Sequence, residues 1–312
     1  MTYIMGGRAS CQFSKYTGLL LLTTFLMGTA YPVAKLGMGH TTPLMLMGIR
    51  FFLAGGLLAL FSAKKPQPQG AKQWLQIVLL GLIQSVGVMG FTAYSMRWIT
   101  SGESAIISST SPLMMLVWGA LMGTAYRVRQ WFGVVIGFIG VVITFGLHIS
   151  LEPGTVFALA GAFCFTVATL MINRMGPAFD KRVLAAYQML AGGVMLLILS
   201  FAGEKPTFEL NVESGLAVVW LVLFCSILQF TLWFYLLSHS DPGKTSSFLF
   251  LIPIFSVICS WLLLGEHIAW YVYVGGALTC AGVFLVNWQG NRKPKAKEET
   301  KEASSLRMQE EM

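Results

Sequence analysis

A chain of 312 residues that is 55% hydrophobic and only 11% charged is too apolar for a water-soluble domain. The formal net charge of +8 raises the question of a nucleic-acid partner, which the placement of the basic residues answers below. The five cysteines include no CxxC pair, and four (Cys164, Cys225, Cys259, Cys280) lie in apolar runs while Cys11 precedes the first. They read as small packing residues rather than a disulfide framework.

Along the chain, apolar stretches centre on residues 17–35, 42–62, 74–95, 104–123, 131–148, 154–173, 183–202, 215–237, 245–265 and 269–288. A hydrocarbon core about 30 Å thick needs about 20 apolar residues per helix, so each stretch can serve as a span. The runs are continuously apolar rather than alternating, which excludes a β-barrel and leaves a helical bundle. The first stretch follows a basic segment, as a signal peptide does, but it is long and lacks a convincing cleavage site, so it is read as a helix. The expected fold is an all-α integral membrane protein of ten transmembrane helices. Residues 1–16 precede the bundle, and residues 289–312, with six basic and five acidic side chains, form a disordered cytoplasmic tail.

The chain repeats itself. Tyr94, Gly102, Ser104 and Pro112 return as Tyr235, Gly243, Thr245 and Pro253 at a spacing of 141 residues. Ala54-Gly55-Gly56 answers to Ala191-Gly192-Gly193, and Gly133 with Gly140 to Gly275 with Gly282. Five stretches fall in residues 17–148 and five in 154–288. An odd number of spans makes the second copy enter the membrane from the opposite side, so the two five-helix repeats are expected to be inverted. When Lys and Arg are assigned to alternate sides, 17 of the 21 fall on one side, with Lys35, Arg97 and Lys205 on the other and Arg50 within a span. The positive-inside rule then places both termini in the cytoplasm of a multi-pass cell-membrane protein. The basic balance reports orientation in a lipid bilayer, and no nucleic acid is expected.

The second copy shows Tyr235, Gly243-Lys244-Thr245, Pro253, Gly265-Glu266, and Gly275, Gly276 and Gly282. The first shows Tyr94, Gly102-Glu103-Ser104, Pro112, and Gly133, Gly137 and Gly140, with Gly123-Thr124 in place of the Gly-Glu pair. This order resembles the EamA-type, ten-helix members of the drug/metabolite transporter superfamily. The first helix is similar to the family's Trp-Gly…Lys start, with Gly28 and Lys35 but Met27 in place of Trp, and Arg50 looks like the Arg often found in the second helix. The resemblance covers nearly all of 17–288. It implies a secondary transporter with a cavity between the repeats, lined by the first, third and fourth helices of each half.

The duplicated prolines are the sharpest pointers to a substrate site. Proline removes a helical hydrogen bond, and matched interruptions in two halves point to the binding region; a packing kink is the bland alternative. Ser108, Ser109 and Thr110, with Ser111, form a hydroxyl run before Pro112, of which at least one should point inward, although hydroxyls in helices often bond back to the preceding turn. On the matching helix, Phe250 precedes Pro253. Gln84, Tyr94, Gln229, Trp233 and Tyr235 on the third and eighth helices, with Tyr31 on the first, are further cavity candidates; helix packing explains each of them equally simply. Lys35, Arg50, Glu103 and Glu266 are the charged candidates. The simplest reading of Arg50 is snorkelling to the outer interface, against pairing with a substrate carboxylate or phosphate.

No Asp, Glu or His falls near the centre of a span. Buried carboxylate relays are the usual proton-coupling device, so uniport or exchange is expected, or coupling through Glu103 or Glu266 at the mouths. No metal or other cofactor is implied. The sequence supports a secondary transporter exporting small metabolites, amino acids or related compounds, by alternating access. A drug or nucleotide-sugar carrier is the rival within transport, although nucleotide sugars call for more cavity cations than Arg50 and Lys35 supply. A membrane-embedded enzyme lacks its acid, base and nucleophile cluster, and a receptor or structural protein does not explain the repeat. The Gly133-x-x-x-Gly137 spacing suits close packing within the chain, with a homodimer face as the alternative.

Overall fold

The computed structural model describes residues 4–123, 126–144, 152–175, 179–239, 248–266 and 269–287. Those residues form helices and short connections, with no β structure among them beyond an isolated bridge between Thr41 and Phe208. In chain order the elements are α1 (Ile4–Gly37), α2 (Pro43–Phe61), α3 (Gly70–Ser95), α4 (Ser101–Leu121) and α5 (Val128–Thr144). They continue with α6 (Pro153–Met175) and α7 (Lys181–Gly203), and α8 runs from Val212 to His239. The last two are α9 (Leu251–Leu264, led by the one-turn 3-10 segment Phe248–Phe250) and α10 (Trp270–Asn287). α1 to α4 and α6 to α8 each contain a span of 19 to 26 residues apolar enough to cross a membrane; α5, α9 and α10 are apolar but shorter. The tail from 288 and the Gly243-Lys244-Thr245 segment lie outside the described residues.

Helix boundaries follow local chemistry. Thr100 and Glu103 form a reciprocal capping box at the start of α4, Asn211 and Ser214 do the same for α8, and Asp180 accepts the Arg182 and Val183 N–H groups at the start of α7. α4 ends at Gly123 and α9 at Gly265, both with positive φ (86° and 61°), the left-handed conformation that closes a helix at little steric cost in glycine. The left-handed glycine is thus common to the two positions, although Gly123-Thr124 lacks the acid of Gly265-Glu266. α1 begins at Ile4, and its apolar span, Tyr16–Gly37, agrees with the first stretch read from the sequence.

Two irregularities recur in both copies. α4 is broken at Ser109-Thr110, just ahead of Pro112, and α9 passes from 3-10 to α at Phe250-Leu251, just ahead of Pro253. Nine-residue π segments interrupt α3 at Leu82–Gly90 and α8 at Trp220–Leu228, at matching positions.

Close packing is made by the duplicated glycines. A Cβ on Gly133 would lie 2.8 Å from the Gly282 carbonyl oxygen, and one on Gly140 would lie 2.5 Å from Thr279 N. α5 and α10 therefore touch backbone to backbone, so the Gly133-x-x-x-Gly137 face is spent within the chain. α2 and α7 cross equally closely, Gly48 against Leu197 and Gly55 against Leu190. α1 packs on α8 and α9, while α6 packs on α3 and α4. The main core gathers Leu46, Phe51, Met189, Leu196 and Leu221. Large apolar side chains such as Phe132, Phe163, Ile198 and Leu262 stay exposed, the outward-facing surface that lipid requires.

Candidate functional site

Arg50 is the deepest charge in the bundle. Its residue exposure is 4%, and its Nε donates to Ser226 Oγ at 3.0 Å while Nη2 donates to the Cys225 carbonyl at 3.0 Å. Both acceptors belong to the π segment of α8, and the guanidinium carbon lies 4.9 Å from the Phe51 ring centroid. Arg50 thus does not snorkel: it turns into the bundle, because α8 offers acceptors at the depth where lipid would offer none. The surroundings are polar. Thr29 lies between Cys225 Sγ, at 3.7 Å, and the Trp220 indole N–H, at 3.4 Å, and Ser226 Oγ donates on to the Leu221 carbonyl at 2.9 Å. Tyr31 of α1 lies within electrostatic reach of both Arg50 and Ser108.

The hydroxyl run divides sharply. Ser109 Oγ donates to the Ala105 carbonyl at 2.8 Å and Thr110 Oγ1 to the Ile107 carbonyl at 2.7 Å, so both are used up locally. Ser108 Oγ is buried and unpartnered: Tyr31 stands near it, but the contact does not satisfy hydrogen-bond geometry. The Ser111 carbonyl accepts from Thr166 of α6 at 3.2 Å, and Pro112 is half-buried just beyond the break. On α9 Pro253 is buried, and Phe250 closes the 3-10 turn with its side chain outside the described set.

Gln84 lies within the π segment of α3 and Gln229 directly follows that of α8; neither forms a hydrogen bond with a described residue. Trp233 is half-buried one turn further along α8. Tyr235 is 49% exposed and stands apart from the cluster. Tyr94 belongs to the end of α3, where its ring lies 5.6 Å from Phe157 and 4.5 Å from the Arg97 guanidinium carbon. Trp118 and Trp261 are also exposed. The structure therefore brings together Tyr31, Arg50 and Ser108, while Tyr94 and Tyr235 lie elsewhere.

The remaining charged candidates occupy helix ends. Lys35 Nζ pairs with Glu266 Oε1 at 2.9 Å and donates to the Ile99 carbonyl at 2.9 Å. Glu266 also accepts from Ser101 N and Ser101 Oγ, and Ser101 Oγ meets Ser260 Oγ at 2.7 Å. This network ties α1, α4 and α9 at one end, with a carboxylate on the α4 N-terminus. Glu103 is occupied in its own capping box. Glu204, which the sequence reading passed over, has a side chain only 3% exposed; it accepts from Leu44 N at 3.2 Å and Ser200 Oγ at 3.1 Å and pairs with Arg97 at 3.4 Å. A third Gly-Glu pair, Gly203-Glu204, was the available signal for it. Between these two networks opens a cavity of about 430 Å³ lined by Lys35, His40, Thr42, Arg97 and Glu209. Among the described residues no group of three or more His, Cys, Asp or Glu could hold a metal ion.

Comparison with known proteins gives this helical bundle a family. The EamA-like transporter family matches residues 15–146 and again 152–288. The chain belongs to that family. It is a multi-pass membrane transporter of the drug/metabolite superfamily. The inner membrane transporter YedA of Escherichia coli K12 is 30% identical over 276 residues, covering 86% of this chain and 89% of YedA. An uncharacterized transporter of Archaeoglobus fulgidus is 28% identical over 87% of this chain and 97% of its own length. A WAT1-related chloroplastic protein of Arabidopsis thaliana is 27% identical over 92% of this chain and 72% of its own. A solved structure with 19% identity shares the fold at a TM-score of 0.64, covering 88% of this chain and 97% of that one.

Proposed function

We propose that this EamA-family chain exports small metabolites, amino acids or related compounds, by alternating access between two inverted five-helix halves. In this reading all of α1 to α10 span the bilayer and both termini face the cytoplasm. The observation that carries it is reciprocal packing across the halves: α1 lies on α8 and α9, and its counterpart α6 lies on α3 and α4. A two-fold relation exchanges those contacts and pairs α2 with α7 and α5 with α10, where the duplicated glycines meet. The matched π segments and proline breaks add further equivalent positions at mid-bundle.

With this orientation the Lys35–Glu266 and Arg97–Glu204 pairs stand at the outer face and hold it closed, with the polar cluster beneath them. Opening outward has to break the Lys35–Glu266 contact and separate α1 from α4 and α9. Because Glu103 and Glu266 are engaged in capping and gating, the mechanism is uniport or exchange, with no proton carrier at mid-membrane.

Metabolite profiling of the medium of cells overproducing the protein tests the function. At least one small compound accumulates outside more than in cells producing the Pro112→Ala, Pro253→Ala variant; identical profiles sink the exporter reading. Orientation has its own test. Cysteine at Glu209 is labelled by an impermeant thiol reagent in intact cells and cysteine at Lys65 is not; the reverse pattern inverts the topology.

A further inference from the structure

The Arg50 guanidinium has unused capacity. Of its five N–H donors, Nε and one on Nη2 are taken by Ser226 and the Cys225 carbonyl, and Nη1 has no hydrogen-bond partner among the described residues. No carboxylate pairs with it either: each described Asp and Glu lies at a helix end or in a connection. A cation held at membrane depth by a hydroxyl, a carbonyl and the face of the Phe51 ring is poorly compensated, since none of the three carries a full negative charge. On α4, Ser108 Oγ is buried without a partner at the helix break. Tyr31 of α1 lies within electrostatic reach of both Arg50 and Ser108.

We propose that Arg50, Ser108 and Tyr31 form the subsite for a carboxylate of the transported molecule. The guanidinium supplies charge and a planar fork that matches two carboxylate oxygens. Ser108 and Tyr31 supply hydroxyl donors from two other helices. Because α1, α2 and α4 each contribute one group and α8 holds the arginine in place, a bound carboxylate draws both halves together. A decarboxylated or amidated analogue leaves the cation unsatisfied and is rejected, as buried polar sites reject ligands that lack their partner. Further polar groups inside the bundle, among them Gln84, Gln229 and the unpartnered Gln188 Oε1, are available to the rest of such a molecule. This inference rests on the transport reading and names the chemistry of its cargo.

The test uses the purified full-length protein, with thermal stabilisation measured for L-phenylalanine, L-leucine and benzoate, each against its neutral amide, and for inorganic phosphate. At least one carboxylate raises the melting temperature and its amide does not. For that carboxylate, Arg50→Gln weakens binding by about tenfold or more and Ser108→Ala by about threefold. Arg50→Lys, which keeps the charge but loses the fork, falls between wild type and Arg50→Gln. Arg97→Gln, outside the subsite, binds as wild type does. Monodisperse elution separates lost binding from lost folding, and Ser108→Ala serves as the readout if Arg50→Gln does not fold.

Equal stabilisation by an acid and its amide overturns the proposal, as does wild-type affinity in either Arg50→Gln or Ser108→Ala. Phosphate binding without carboxylate binding overturns it in favour of a phosphorylated cargo, and no response to any probe also counts against it. The failure of the broader reading looks different: counterflow in proteoliposomes of a neutral compound, unaffected by Arg50→Gln, leaves transport standing and removes the carboxylate, whereas export of no compound removes transport itself.

Discussion

Where α1, α4 and α9 meet at one end of the bundle, Glu266 is taken by Lys35, Ser101 N and Ser101 Oγ, and nearby Glu204 is taken by Arg97, Leu44 N and Ser200. Halfway along α2, Arg50 has two acceptors for five donors, and on α4 Ser108 Oγ has none. Water can compensate a charge at the end of a helix, yet those ends are the well-paired regions. The middle, where an unpaired group is most expensive, carries Ser85, Ser108, Gln188 and Ser256 with unpartnered buried atoms, against Thr41 at the end. Groups at the ends tie helices together. Under the proposal, groups in the middle are reserved for a cargo that is present only part of the time.

That contrast can be attacked first at the frame supporting both regions. Gly140→Leu inserts a side chain where Thr279 N would lie 2.5 Å from the new Cβ. Overpacking a helix crossing this tight costs at least about 3 kcal/mol, and the expected result is loss of the monodisperse elution peak. The same substitution at Gly56, which faces open space, leaves that peak in place. Next comes Thr100→Ala, which removes the side-chain half of the α4 capping box and lowers stability by about 1 kcal/mol in thermal unfolding, with binding unchanged.

Lys35→Met acts on the gate. The pair is part-buried, so its loss shifts the equilibrium by about 1 kcal/mol or less, seen as up to about fivefold faster labelling of a cysteine at Ser101. Unchanged labelling would remove Lys35–Glu266 from the gate. The smallest effect belongs to Ser109→Ala. Its hydroxyl only bonds back to Ala105, so stability and transport should stay within about 0.5 kcal/mol of wild type, in contrast with Ser108→Ala one residue away. Equal effects at 108 and 109 would erase the distinction drawn between local and reserved hydroxyls.

Much of this was legible in the chain. Apolar run length marked out the helices, and the repeat of Tyr94, Gly102, Ser104 and Pro112 at a spacing of 141 residues marked out the two family segments. The prolines announced the breaks in α4 and α9. Three features were not legible. The π segments carry no residue signature, because one extra residue per turn is a matter of hydrogen-bond register. The direction of Arg50 depended on acceptors 175 and 176 residues away in sequence, Cys225 and Ser226. Glu204 looked like any loop acid until α2 brought the Leu44 N–H to it.

Composition and periodicity therefore determined by themselves that this protein is an apolar helical bundle in two copies, because a backbone in lipid has to satisfy its own hydrogen bonds and a span needs a fixed number of apolar residues. Only the tertiary structure decided which polar groups are used and which are left open. Four consecutive hydroxyls look alike in sequence, and a helix break and a tyrosine from α1 single out Ser108 among them. Pairing is a property of distance between helices, and sequence spacing does not carry it.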